Sequence, residues 1–169
     1  MTPQQGRKLA LTVCTLALIF GTTPQAGAQT PHSKLSTLPE SAFAFSYDPV
    51  VIKQQLRMAS QFGRKVVAGL QAASPDDGTP IDDLVVRQAR DTYGLLRSAR
   101  SGMGLYKGVQ KYPDPVFELA YNRVTQAWNL ARTPVDRLCC LPRQAYLAEA
   151  IPALTEALRL VDQALVLMP

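Results

Sequence analysis

The sequence predicts an all-α protein, an antiparallel four-helix up-down bundle with a short extra helix before the last long helix. Three observations lead to this fold class. Apolar residues recur at spacings of three and four over four long stretches, which is the period of amphipathic helices. The segments between these stretches are short and rich in Pro, Gly and Asp, which favours antiparallel neighbours. Strand signals are nearly absent, since β-branched residues are scattered and no Asn-Gly hairpin occurs.

Residues 1–28 are typical of a secretory signal peptide. Arg7 and Lys8 precede an uncharged apolar run over residues 9–20, and Ala26-Gly27-Ala28 provides an A-x-A cleavage site. The apolar run is well short of the roughly 20 residues that a spanning helix needs, which disfavours an uncleaved membrane anchor. A lipoprotein signal at Cys14 is a second alternative, disfavoured because a better cleavage site lies downstream. The sequence therefore predicts export, with a periplasmic or secreted chain and no transmembrane span after cleavage.

Residues 29–47 are predicted to form an extended or disordered lead-in to the helical bundle domain, residues 48–169. They mix Ser, Thr and Pro with few periodic apolar positions. Phe43, Phe45 and Tyr47 alternate, which also allows this segment to lie along the bundle.

The first helix is expected to begin at Asp48-Pro49, an N-cap followed by a proline in the first helical position. Its inward stripe is Ile52, Leu56, Ala59, Gly63, Val66, Leu70 and Ala73. The second helix is expected to begin near Ile81 and to end or fray between Gly102 and Gly108, where glycines are frequent. Its stripe is Ile81, Val85, Gln88, Thr92, Leu95, Ala99, Met103 and Tyr106.

The third helix is expected over 116–132, with an inward stripe of Phe117, Ala120, Val124, Ala127 and Ala131. Thr133-Pro134 then resembles an N-cap and a first-turn proline, which predicts a short helix through Cys139 and Cys140. The last helix is expected over 143–167, kinked or divided by Pro152. Leu70, Leu95 and Trp128 are expected to be buried.

Charge is the first functional signal. Removal of Arg7 and Lys8 with the signal peptide lowers the formal charge from +5 to +3, too little to indicate nucleic-acid binding. Folding the chain back between the first two helices brings five basic residues to one end of the bundle: Lys53, Arg57, Arg97, Arg100 and Lys107. They form a candidate docking surface for an unknown envelope protein or an anionic membrane surface. The alternative is a solvated face with weak ion pairs.

Arginines also follow one flank of the second helix: Arg87, Arg90, Arg97 and Arg100. Asp83 and Asp91 lie four residues either side of Arg87 and are expected to pair with it. The arginines and the tyrosines together allow a different function, a periplasmic binder of an anionic small molecule in a pocket lined by Tyr and Arg. The alternative for the aromatic residues is ordinary packing in the core and loops.

Cys139 and Cys140 are a possible disulfide or redox pair in an oxidising compartment. The alternative is two inert apolar residues, with Cys139 buried and Cys140 more exposed. The inventory disfavours catalysis and metal binding, because the single histidine, His32, lies in the lead-in and no phosphate loop or metal-ligand spacing occurs. The leading prediction is therefore an exported, non-enzymatic helical-bundle protein of the bacterial envelope, without a cofactor, that acts as an interaction or accessory module.

Overall fold

The computed structural model describes residues 36–73, 80–109, 114–138 and 140–168. Within these ranges the elements, in chain order, are a 3-10 turn (Glu40–Phe43), α1 (Pro49–Ala72), α2 (Asp83–Val109), α3 (Pro115–Ala131), α4 (Thr133–Asp136) and α5 (Arg143–Leu167). The described residues contain four long helices and no strand, so the predicted all-α class is confirmed. The predicted signal peptide, His32, Cys139, residues 74–79 and residues 110–113 lie outside the described residues.

Two of the long helices begin with an aspartate cap, α1 at Asp48 as predicted and α3 at Asp114. The Asp48 carboxylate accepts the backbone N–H of Val50 at 2.9 Å, and Asp114 accepts that of Val116 at 2.8 Å. A proline occupies the first turn in both cases. Each aspartate satisfies an N–H group that has no partner within the helix and places a negative charge at the positive end of the helix dipole.

Helix α2 differs from its prediction at both ends. It begins at Asp83 rather than near Ile81, because the Asp82 carboxylate accepts the N–H of Leu84 at 2.8 Å and so caps the helix. It continues to Val109 instead of ending or fraying from Gly102 onwards. Tertiary contacts override the low helix propensity of glycine here, since Tyr106 packs against Phe117 with ring centroids 4.8 Å apart.

The short helix is also shorter than predicted. Arg132 keeps helical dihedral angles between α3 and α4, so Thr133 continues the helical path and does not act as a side-chain cap. Helix α4 ends at Asp136, before the cysteines. Helix α5 matches its predicted range and is undivided at Pro152, whose side chain faces solvent. The carbonyl that this proline leaves without a hydrogen bond can therefore be hydrated.

Each long helix packs against two others: α1 against α2 and α5, and α3 against α2 and α5. Residue numbers fall along α2 as they rise along α1, because Gly63 lies beside Thr92 and Gly69 beside Val85. The two helices are therefore antiparallel, and the contacts are consistent with the predicted up-down arrangement. The predicted stripe of α3 is buried throughout, as are Leu70 and Leu95, whereas Trp128 is only partly buried.

Residues 36–47, which we call the strap, lie in contact with α1 and α2. The Gln55 amide of α1 donates to the backbone carbonyls of Ala42 and Ala44, at 3.1 and 2.9 Å. The Ser98 hydroxyl of α2 donates to the carbonyl of Phe43 at 2.7 Å. These buried polar side chains satisfy backbone groups of the strap, which explains why polar residues occupy buried positions on both helices.

The beginning of the strap is held by the buried carboxylate of Asp91. It accepts the hydroxyl of Ser36 at 2.6 Å, the backbone N–H of Thr37 at 2.9 Å, and the Thr37 hydroxyl. The predicted pairing of Asp91 with Arg87 is therefore wrong. Arg87 instead donates through Nε to the backbone carbonyl of Asp83 at 3.3 Å.

Two glycines of α2 are expected to respond oppositely to substitution by alanine. A Cβ on Gly102 would lie 2.1 Å from the backbone oxygen of Ser46, so Gly102→Ala must displace the strap, at a cost of about 1–3 kcal/mol. A Cβ on Gly108 would meet nothing within 4 Å, so Gly108→Ala should stabilise the chain by up to about 1 kcal/mol. Urea unfolding measures both. Equal effects of the two substitutions would contradict the close approach of the strap to α2.

Candidate functional site

The N-termini of α1 and α3 and the C-termini of α2 and α5 meet at one end of the molecule, which we call the tip. The Lys53 ammonium on α1 donates to the backbone carbonyl of Met168, just past α5, at 3.1 Å. Lys107 on α2 forms an ion pair with Glu118 in the first turn of α3. These contacts fix the four helix ends relative to one another.

Exposed apolar side chains concentrate at the tip. Of the large apolar side chains that are exposed in the described part of the chain, all but Leu84 belong to these helix ends or to the adjacent end of the strap: Phe45, Tyr47, Val50, Leu105, Val109, Val116, Leu119 and Val166. Val50, Val109 and Val166 are 73%, 74% and 85% exposed. A concentration of apolar side chains on one surface marks a site for interaction, whereas scattered ones need no explanation.

The five basic residues of the predicted docking surface differ in their surroundings. Lys107 pairs with Glu118, and its ammonium also lies 4.6 Å from the centre of the Tyr121 ring. Lys53 binds the backbone at the end of α5. Arg57 and Arg97 are exposed and form no ion pair or hydrogen bond with any other residue in the described ranges.

The fifth basic residue, Arg100, is part of the contact between α2 and α3. Its guanidinium carbon lies 4.7 Å from the centre of the Trp128 ring, a cation–π geometry. Tyr93, on the same side of α2, stacks on the same indole with ring centroids 5.8 Å apart and an interplanar angle of 18°. Arg100 therefore contributes to packing between helices as well as to the charge of this region.

Acidic and basic residues lie at different distances from the end of the tip. Asp48 and Asp114 are exposed at the tip, where they cap α1 and α3, and their negative charges nearly offset the positive charges of the lysines there. The basic excess lies further back, with Arg57 about 10 Å behind Val50 along α1. The tip is therefore mainly apolar, and we call the five basic residues around and behind it the collar: Lys53, Arg57, Arg97, Arg100 and Lys107.

Three surface cavities have volumes of about 530, 380 and 330 Å³, and none has a tyrosine in its lining. The first lies near the start of α2 and includes Arg87 and Arg90 together with Asp83. None of the three reaches Arg100 or Trp128. The alternative of a pocket lined by Tyr and Arg therefore receives no specific support from these cavities.

The remaining candidate groups do not assemble a reactive site in the described ranges. Cys140 is exposed, and its sulfur lies 3.8 Å from the carbonyl of Asp136; the redox pairing with Cys139 stays a prediction. No cluster of His, Cys, Asp or Glu suited to a metal occurs among the residues described. Burial raises the pKa of Tyr146 to about 12, and its hydroxyl donates to the carbonyl of Pro134 at 2.8 Å, which links α4 to α5.

None of the helices in the described part of the chain combines the length and apolar character needed to cross a bilayer. No known protein family, curated protein or solved structure matches the chain.

The prediction from sequence missed the apolar tip, although a signal for it was present. Val50, Leu105, Val109, Val116 and Leu119 all lie outside the inward stripes assigned to their helices, and each is close to a helix end. When apolar residues lie outside the core stripe at several helix ends, and these ends meet at one end of a bundle, the pattern predicts an exposed apolar surface there.

Proposed function

We propose that this chain is an exported, non-enzymatic interaction module that docks on an acidic surface through the tip and its collar. In this proposal the four long helices form an antiparallel up-down bundle, which presents four helix ends together as a single docking surface. The observation that carries the proposal is the concentration of exposed apolar side chains at the same end as the basic residues. The exposed apolar side chains thus lie close to the five basic residues of the collar.

The collar has two roles in this proposal. Arg57 and Arg97 are exposed without an intramolecular partner in the described residues, so they remain able to attract acidic groups. Lys53, Arg100 and Lys107 hold the helix ends in place through their contacts with α5 and α3. Reversing the first two charges therefore tests docking with little effect on folding, whereas reversing Arg100 would also disturb the Trp128 contact.

The double variant Arg57→Glu/Arg97→Glu is expected to bind washed cell envelopes about tenfold more weakly than the original chain. The difference should fade as salt approaches molar concentration, because the Debye length falls to about 3 Å. Co-sedimentation of the processed chain with the envelopes measures it. Stability should change little, since exposed charges contribute little to it.

The matched control is Arg90→Glu/Arg137→Glu, which makes the same change in net charge away from the tip. Both arginines are exposed and have no ion-pair partner among the described residues. The control should bind envelopes as the original chain does. Equal loss in both variants would show that net charge, and not the collar, governs association.

A further inference from the structure

We propose that the acidic surface is a lipid bilayer with anionic headgroups, into which the apolar tip inserts without spanning it. This inference rests on the proposed function and specifies its partner.

The apolar side chains of the tip come from the ends of four helices and from the strap, and they line none of the three cavities described above. A peptide or a helix of a partner would need a groove between elements for its own side chains. A bilayer surface accepts a convex apolar end, because acyl chains adapt to its shape.

Basic residues lie close behind the exposed apolar side chains of the tip. The collar lies on the tip half of α1 and α2, while the opposite end has exposed arginines, Arg90 and Arg137, together with exposed Asp82 and Asp83. An anionic bilayer attracts each nearby Lys or Arg by about 1 kcal/mol. The tip is the end at which basic residues and a group of exposed apolar side chains occur together, so both contributions to membrane binding act there.

The depth of each group matches a shallow insertion. Lys53 lies about 5 Å behind Val50 along α1, and Lys107 about 3 Å behind Val109 along α2. Asp48 and Asp114 lie in front of Val50 and Val116 along their helices, and each carboxylate is costly to move out of the headgroup region. The tip therefore enters only as far as the headgroups, where both ammonium groups lie near the phosphates.

The experiment is flotation of the processed chain with two kinds of vesicle, pure phosphatidylcholine and phosphatidylcholine mixed with phosphatidylglycerol. The original chain should float with the anionic vesicles and remain unbound with the neutral ones. Val109→Ser/Val166→Ser should weaken binding to anionic vesicles by about tenfold or more, because two exposed apolar groups no longer leave water on binding. Both side chains are exposed, so folding should be unaffected.

Leu84→Ser is the matched control, since Leu84 is the exposed large apolar residue that lies away from the tip in the described part of the chain. It should float as the original chain does. Three results would each overturn the membrane proposal. The first is that the tip variant binds anionic vesicles as well as the original chain does, and the second is that the original chain binds neutral vesicles as well as anionic ones. The third is that the chain does not float and instead forms a dimer that depends on the tip residues, as measured by analytical ultracentrifugation. If envelope association remains sensitive to Arg57→Glu/Arg97→Glu while no vesicle binds, the partner is a protein and only this inference fails.

Discussion

Replacing Leu95 by alanine is expected to lower the free energy of unfolding by about 2–5 kcal/mol. Leu95 is fully buried in the core, on the face of α2 that packs into the bundle. Its truncation removes apolar contacts and leaves a cavity that neighbouring helices can close only in part. Urea unfolding measures this loss. If the dependence of the unfolding free energy on urea concentration is unchanged, the substitution has changed stability and not the compactness of the folded or the unfolded state.

Leu105→Ala is the control for this prediction, because Leu105 lies on the same helix but is 55% exposed. Leucine and alanine have similar helix propensities, so the substitution should change stability by no more than about 0.5 kcal/mol. If both substitutions destabilise the chain equally, the assignment of the buried face of α2 is wrong.

The fold class and most helix positions were predictable because they follow from local signals. Asp48 caps α1 as the sequence predicts, and the stripe of α3 is buried residue for residue. Such features depend on residues within one helical turn or on one period of apolar spacing. No partner elsewhere in the chain is needed to recognise them.

The errors arose where a distant segment decides the local structure. Gly102 indicates the end of a helix in isolation, yet here it makes room for the backbone of Ser46. Asp91 was expected to pair with Arg87 on its own helix and instead binds Ser36 and Thr37. Both residues contact the strap, and nothing in the spacing along α2 reveals a segment that approaches from outside the helix.

The contacts of the collar could not be predicted from the sequence. Folding the chain back brings basic residues to one end, but it does not distinguish Arg57, which is exposed, from Arg100, which packs against Trp128. This difference depends on α3, whose distance from α2 is set by tertiary packing. Because of this difference, replacing Arg57 tests docking without disturbing the fold, whereas replacing Arg100 does not.

The fluorescence of a single tryptophan can report which end of the molecule contacts a vesicle. Trp128 is the chain's one tryptophan, so Trp128→Phe provides a background without tryptophan that keeps an aromatic ring beside Tyr93. Val166→Trp then places a reporter at the tip, and Leu84→Trp places one at the opposite end. Both positions are exposed in the folded chain, so each reporter starts in water.

Tryptophan emission on addition of phosphatidylglycerol-containing vesicles is the most direct measurement of the docking claim. The emission of Val166→Trp should shift to the blue and be quenched by brominated lipids, because the indole leaves water at the depth of the headgroup boundary. The emission of Leu84→Trp should stay unchanged under the same conditions. A blue shift at Leu84→Trp, or none at Val166→Trp while the protein floats with the vesicles, would contradict docking through the tip.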